Sequence, residues 1–148
     1  MDGPALVGRQ GQQFDVHVEL GKIREFARAT LSANPEYLDD PAPVAPPTFL
    51  ITARVWQPPE SSVWHGVDRE LARVLHGEQE FVFHGPLPEA GGRLRAVERI
   101  DDVYEKVGRR GGVMHFTVIT TEFRDGDGQL VAESRQTQIA TSQAPSGD

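Results

Sequence analysis

The sequence predicts one α+β domain in which an antiparallel sheet wraps around a central, mostly apolar helix. Three observations lead there. Helical periodicity is confined to the first half of the chain, and strand-like segments parted by Gly- and Asp-rich turns fill the second. Between them lies Thr48 to Trp56, apolar on almost every side, as a buried helix is. Helices first and a meander last is the α+β order. A chain of 148 residues, 38% of them hydrophobic, suits a single compact core.

Residues 1–13, rich in Gly, Gln and Pro, form an extended lead-in, and the domain proper runs over 14–141. Phe14 to Val18 alternates apolar and polar, which predicts a short strand. Ile23, Phe26, Ala27, Thr30 and Leu31 then share one helix face, with Lys22, Arg24, Glu25 and Arg28 turned to water. Pro35 restricts the residue before it and ends that helix near Ala33. Four prolines in residues 38–47 mark a loop. Pro46-Pro47 suits the first turn of the apolar helix, and Pro58-Pro59 closes it.

Further on, Glu78 to His84 reads as a strand with Phe81 and Phe83 on one face. Arg93 to Val107 is a long strand whose apolar phase slips between Val97 and Ile100, the mark of a bulge or strong bend. The loop 108–112 turns the chain back into the strand Val113 to Phe123. Asp125-Gly126-Asp127-Gly128 turns it again into Leu130 to Thr141, and residues 142–148 are expected to be a disordered tail.

Composition excludes several functions. The chain has no cysteine, so disulfides, thiolate metal ligands and a cysteine nucleophile are out, which fits a cytoplasmic protein. The start, Met1-Asp2-Gly3-Pro4, lacks the basic and apolar regions of a secretory signal, and no apolar run is long enough to span a membrane. A formal charge of −7 repels nucleic acid, and Arg109-Arg110 is too small a basic patch to reverse that. His17, His65, His84 and His115 show no metal-ligand spacing, so no metal is expected. Asp39-Asp40 and Asp101-Asp102 read as solvated faces, because adjacent side chains diverge. Asp125 to Gly128 lacks the later ligands of a calcium loop. Neither Ser61-Ser62 nor Ser134 sits in a nucleophile elbow.

Several segments read together resemble a known family: Ile23 to Thr30, Asn34-Pro35-Glu36-Tyr37, Ala45-Pro46-Pro47-Thr48-Phe49, His76-Gly77-Glu78-Gln79-Glu80-Phe81, Pro86-Leu87 and Gly91 to Leu94. From about Val7 to Thr141 the chain is similar to the MaoC-like dehydratases, and within them to the N-terminal or FAS1-like dehydratase domains. The resemblance implies a hot-dog fold that dimerises through a continuous sheet. It also implies (R)-specific hydration of trans-2-enoyl thioesters of coenzyme A or acyl carrier protein, or the reverse dehydration of 3-hydroxyacyl thioesters, with no cofactor. Active members of the family carry Gly-Asp-x-Asn-Pro-x-His, whose Asp and His activate water and move the α-carbon proton. Backbone N–H groups near the start of the central helix receive the thioester oxygen.

Laid on Asn34-Pro35, the pattern's glycine falls on Leu31, its aspartate on Ser32 and its histidine on Tyr37. Serine has no carboxylate, and a tyrosine with an ordinary pKa of about 10 is a poor base at neutral pH. The resemblance therefore implies a non-catalytic chain that shapes the acyl pocket beside a second hot-dog subunit carrying the Asp and His. Asn34, Tyr37, Pro47, Thr48 and His76 are the candidate substrate-binding residues. Each has a plain structural alternative: a turn for Asn34 and Tyr37, a helix start for Pro47 and Thr48, a hydrogen-bonded structural residue for His76. Arg109-Arg110 either solubilises its hairpin or meets carrier phosphates. Two other functions stay open: a self-sufficient homodimeric hydratase or thioesterase, and a non-enzymatic acyl-thioester-binding module.

Overall fold

The computed structural model describes residues 3–108 and 112–142. The predicted tail beyond Ser142 and the Arg109-Arg110 pair lie outside the described residues. Five antiparallel strands form one sheet in the order β1-β3-β4-β5-β2: β1 Phe14–His17, β2 Val74–Phe83, β3 Arg93–Val107, β4 Val113–Arg124 and β5 Leu130–Thr141. With the helices laid on one face, this is the expected α+β hot-dog architecture. The expected irregularity in the long strand is a register shift between Ile100 and Asp102, just beyond the predicted stretch. There Asp101 accepts hydrogen bonds from Arg99 Nε at 2.7 Å and Thr120 Oγ1 at 2.5 Å, fixing the bend from the outer side.

The lead-in, expected to be extended, opens instead with a 3-10 helix, Gly3–Leu6, and its later part joins the sheet. Gly8 N–H donates to Ile100 O, Ile100 N–H to Arg9 O and Gly11 N–H to Glu98 O, which carries the pairing with β3 upstream of the start of β1. Gly11 is needed there, because a Cβ would stand 2.0 Å from Ser61 O.

Two predicted helices need correction. Helix α1 spans Leu20–Ala29, four residues short of Ala33. Ile23 and Ala27 are buried, yet Leu31 is 91% exposed, so the apolar face does not continue past the helix end. A short helix α2, Pro35–Leu38, follows. The central apolar segment is not an α-helix but a 3-10 helix, Phe49–Val55. Its bonds run over three residues, Phe49 N–H to Pro46 O and Ile51 N–H to Thr48 O. A 3-10 helix rises about 2.0 Å per residue against 1.5 Å for an α-helix, so a short segment pinned between proline pairs reaches farther along the sheet. It buries Phe49, Leu50 and Ala53 and leaves Val55 64% exposed, so only one side is core.

That buried side meets Phe14, Val16, Leu94, Ala96, Phe123 and Ala132 from the sheet, forming the main core. Phe26 of α1 packs edge-on against Phe49, with ring centroids 5.8 Å apart. A smaller cluster, Val63, Ile100 and Ile119, fills the far end under residues 59–65. Strand β2 begins at Val74, earlier than predicted, because a bulge between His76 and Glu78 breaks its alternation. It lies at the edge of the sheet, with no neighbour beyond it among the described residues. No described helix is long and apolar enough to cross a membrane.

Candidate functional site

The segment aligned with the family motif is a local turn. Helix α1 closes with Ser32 N–H on Ala27 O at 2.8 Å and Leu31 N–H on Arg28 O at 3.0 Å. These two bonds make a Schellman motif, whose C′ residue adopts a left-handed backbone usually assigned to glycine. Leu31 occupies it with φ of 56°. The position of the pattern's glycine thus keeps a glycine-type conformation without the glycine. Leu31→Gly is expected to raise stability by about 0.5–1.5 kcal/mol, since the left-handed conformation is strained for any residue with a Cβ. Thermal unfolding of the variant measures this, and a lowered Tm would contradict it.

After that turn, Ser32 Oγ accepts the Asn34 N–H at 3.3 Å, and Asn34 Oδ1 caps α2 by accepting the Glu36 N–H at 3.0 Å. The ring of Tyr37 is packed against the main core. The polar atoms of Ser32 and Asn34 are therefore engaged in shaping the chain, and Tyr37 is half-buried in apolar company.

The other candidates meet elsewhere. Thr48 and His76 line one open cleft of about 400 Å³ between the 3-10 helix and strand β2. Its apolar walls are Phe26, Ile51 and Phe81, and its polar ones include Arg54, Gln79 and Gln136. Pro47 is exposed beside Thr48 and sets the start of the 3-10 helix, while Asn34 and Tyr37 are not among the cleft walls. His76 is exposed and makes no side-chain hydrogen bond among the described residues. Gln79 is held by bonds from its Nε2 to Ser134 Oγ at 2.8 Å and Arg135 O at 3.2 Å, but its buried Oε1 has no partner.

Arg54, Gln79 and Gln136 escape the sequence reading. The available signal is the period-two run Ser134, Gln136, Gln138 on β5, which places buried polar groups on the inner face where a plain core would be apolar. Chemically the cleft offers hydrogen-bond donors, one guanidinium and one imidazole around an apolar slot, with no paired carboxylate and histidine. Among the described residues no cluster of three or more His, Asp or Glu is placed to hold a metal.

A family model for the FAS1-like dehydratase domain region matches residues 5–134. The chain belongs to this FAS1-like dehydratase family. The FAS1-like chain is 32% identical over 139 residues to a UPF0336 protein of Saccharopolyspora erythraea, covering 86% of this chain and 84% of that one. It is also 32% identical over 152 residues to a UPF0336 protein of Mycolicibacterium paratuberculosis, covering 93% and 81% of the two. Among solved structures, the FAS1-like fold superposes on a chain of the HadBC (3R-hydroxyacyl-ACP dehydratase) complex from Mycobacterium tuberculosis. The match has a TM-score of 0.68 at 29% identity, covering 89% of this chain and 97% of that one. The ChsH1-ChsH2 complex of the same organism shares the fold, with a TM-score of 0.63 at 19% identity, covering 92% and 87%. Both are complexes, and the hot-dog fold of MaoC-like dehydratases is common to all.

Proposed function

We propose that this chain is the non-catalytic, substrate-shaping subunit of a heteromeric (R)-specific enoyl-thioester hydratase, equivalently a 3-hydroxyacyl-thioester dehydratase. The observation that carries this reading is the motif segment itself. The positions of the family aspartate and histidine hold Ser32 and Tyr37, and the Ser32 hydroxyl is bound into the turn that ends α1. A general acid and base must reach the α- and β-carbons of the acyl chain, and neither residue type is suited to that exchange near neutral pH.

The partner is a second hot-dog chain bearing the Asp and His, and the substrate is an acyl-CoA or acyl carrier protein thioester. Two features support a partner beside β2. Among the described residues this strand has one open edge, a ready template for a strand from another chain. Its residues His76, Gln79 and Phe81 also line the cleft, so a chain continuing the sheet would stand next to it. Thr48 and Pro47 then place the backbone at one end of the acyl slot, and Phe26, Ile51 and Phe81 select its apolar content.

The test is hydration of crotonyl-CoA and longer enoyl-CoA by the chain alone, and by the chain mixed with a hot-dog relative that carries the dyad. Activity is expected only in the mixture, at about 10²-fold or more above the chain alone, the scale of acid–base catalysis. Full activity of the isolated chain would refute the reading. No activity with any dyad-bearing partner would favour a binding module.

A further inference from the structure

Across the β2–β5 ladder His76 pairs with Gln138, and Gln138 belongs to a second cavity of about 300 Å³. Most of its wall is apolar, from Leu6, Val74, Val103, Ala140 and the Trp64 ring. Arg69 interrupts that wall. Its guanidinium lies over the Trp64 ring, 3.6 Å from the centroid, and Nη2 donates to Gln138 Oε1 at 2.6 Å. Stacking and hydrogen bond hold the cation in one place, as a recognition group is held rather than a solubilising one.

What it lacks is an anion. No carboxylate pairs with Arg69 among the described residues. Glu70, in the same wall, is taken by Arg73 at 3.1 Å, and His115 by Glu105 at 3.0 Å. Burial, with Arg54 adding its charge nearby, lowers the Arg69 pKa to about 10, so it stays a cation at neutral pH while being partly stripped of water. The Trp64 indole N–H is buried with no acceptor as well. A cation out of water beside a second cation is unfavourable until an anion arrives.

We propose that this cavity binds an apolar chain ending in a carboxylate, with the carboxylate on Arg69 and the chain against Trp64, Val74 and Val103. A carboxylate matches the planar guanidinium fork, and the volume is at the small end of ligand pockets, suited to a medium-length chain. The carboxylate is either that of a free fatty acid or the far end of a thioester-bound acyl chain, since the paired residues His76 and Gln138 line the cleft and the cavity respectively.

The cavity lies within one chain, so its ligand is tested without a partner. Trp64 is one of two tryptophans and reports on the site by its fluorescence. The full-length chain is titrated with decanoate and with decanol, which differ only in the head group. Decanoate is expected to bind about tenfold or more tightly than decanol. Arg69→Gln should remove that preference while leaving decanol binding within about twofold, which also shows that the variant is folded, and Arg69→Lys should keep part of it. Equal binding of the two probes, no saturable binding of either, or a preference that survives in Arg69→Gln would overturn the proposal. A second titration compares the CoA monothioester of dodecanedioate with dodecanoyl-CoA. An Arg69-dependent preference for the dioate assigns the carboxylate to the acyl chain's far end. No preference there, with decanoate still favoured over decanol, assigns it to a free acid.

Discussion

Phe49→Ala is expected to destabilise the domain by about 3–5 kcal/mol, the range for deleting a fully buried aromatic ring. Phe49 is 0% exposed at the start of the 3-10 helix, where it joins α1, through the edge-on Phe26, to the apolar layer of the sheet. Removing it leaves a cavity that a short helix tied between two proline pairs closes poorly. Thr48 and Ile51, its neighbours, line the cleft, so the same substitution should loosen it. Phe49→Leu keeps most of the volume and should cost no more than about half as much. Urea unfolding of both variants checks this. A loss below about 1.5 kcal/mol for the alanine variant would mean that the 3-10 helix does not anchor the core.

Glu98→Ala should be the next most damaging, at about 2–4 kcal/mol. The side chain is only 4% exposed on the inner face of β3, and its Oε2 accepts the Val63 N–H at 3.1 Å. Val63 is fully buried at the centre of the smaller cluster. Alanine strands that N–H without an acceptor and empties the space the carboxyl filled. Glu98→Gln keeps an acceptor of nearly the same shape and should cost less than half of the alanine loss. If glutamine proved as harmful as alanine, the hydrogen bond to Val63 would not be what residues 59–65 require.

The sheet is legible in the sequence because turns rich in Gly and Asp part the extended segments β3, β4 and β5, even though alternation is kept only along the first part of β3. The first turn of β2 is not, since the bulge after His76 removes the alternation just where the strand begins. The end of α1 misleads for a different reason. Leu31 continues the helical spacing by type, yet it sits in a left-handed cap and faces solvent, and spacing carries no information on φ. The central segment is apolar enough for a buried α-helix, but composition does not report which hydrogen-bond repeat a proline-bounded segment takes.

The motif positions Ser32, Asn34 and Tyr37 are readable from local spacing because the motif is contiguous. Arg54, Gln79 and Gln136 in the cleft, and Arg69 with Trp64 beyond it, come from four different stretches of chain, and only the sheet register brings them together. His76 and Thr48, singled out separately in the sequence, share one cleft, whereas Asn34 and Tyr37 do not line it.

A chain that shapes a hydratase site, as proposed, supplies neither its acid nor its base. The most direct measurement is kcat for enoyl-CoA hydration by the active two-chain complex carrying Ser32→Ala, Tyr37→Phe or His76→Ala on this chain, beside the aspartate-to-asparagine variant of the partner subunit. kcat is expected to stay within about twofold for each of the three, with any change in KM, while the partner variant loses about 10²-fold or more. A comparable loss of kcat from any one of the three would contradict it and place a catalytic group on this chain.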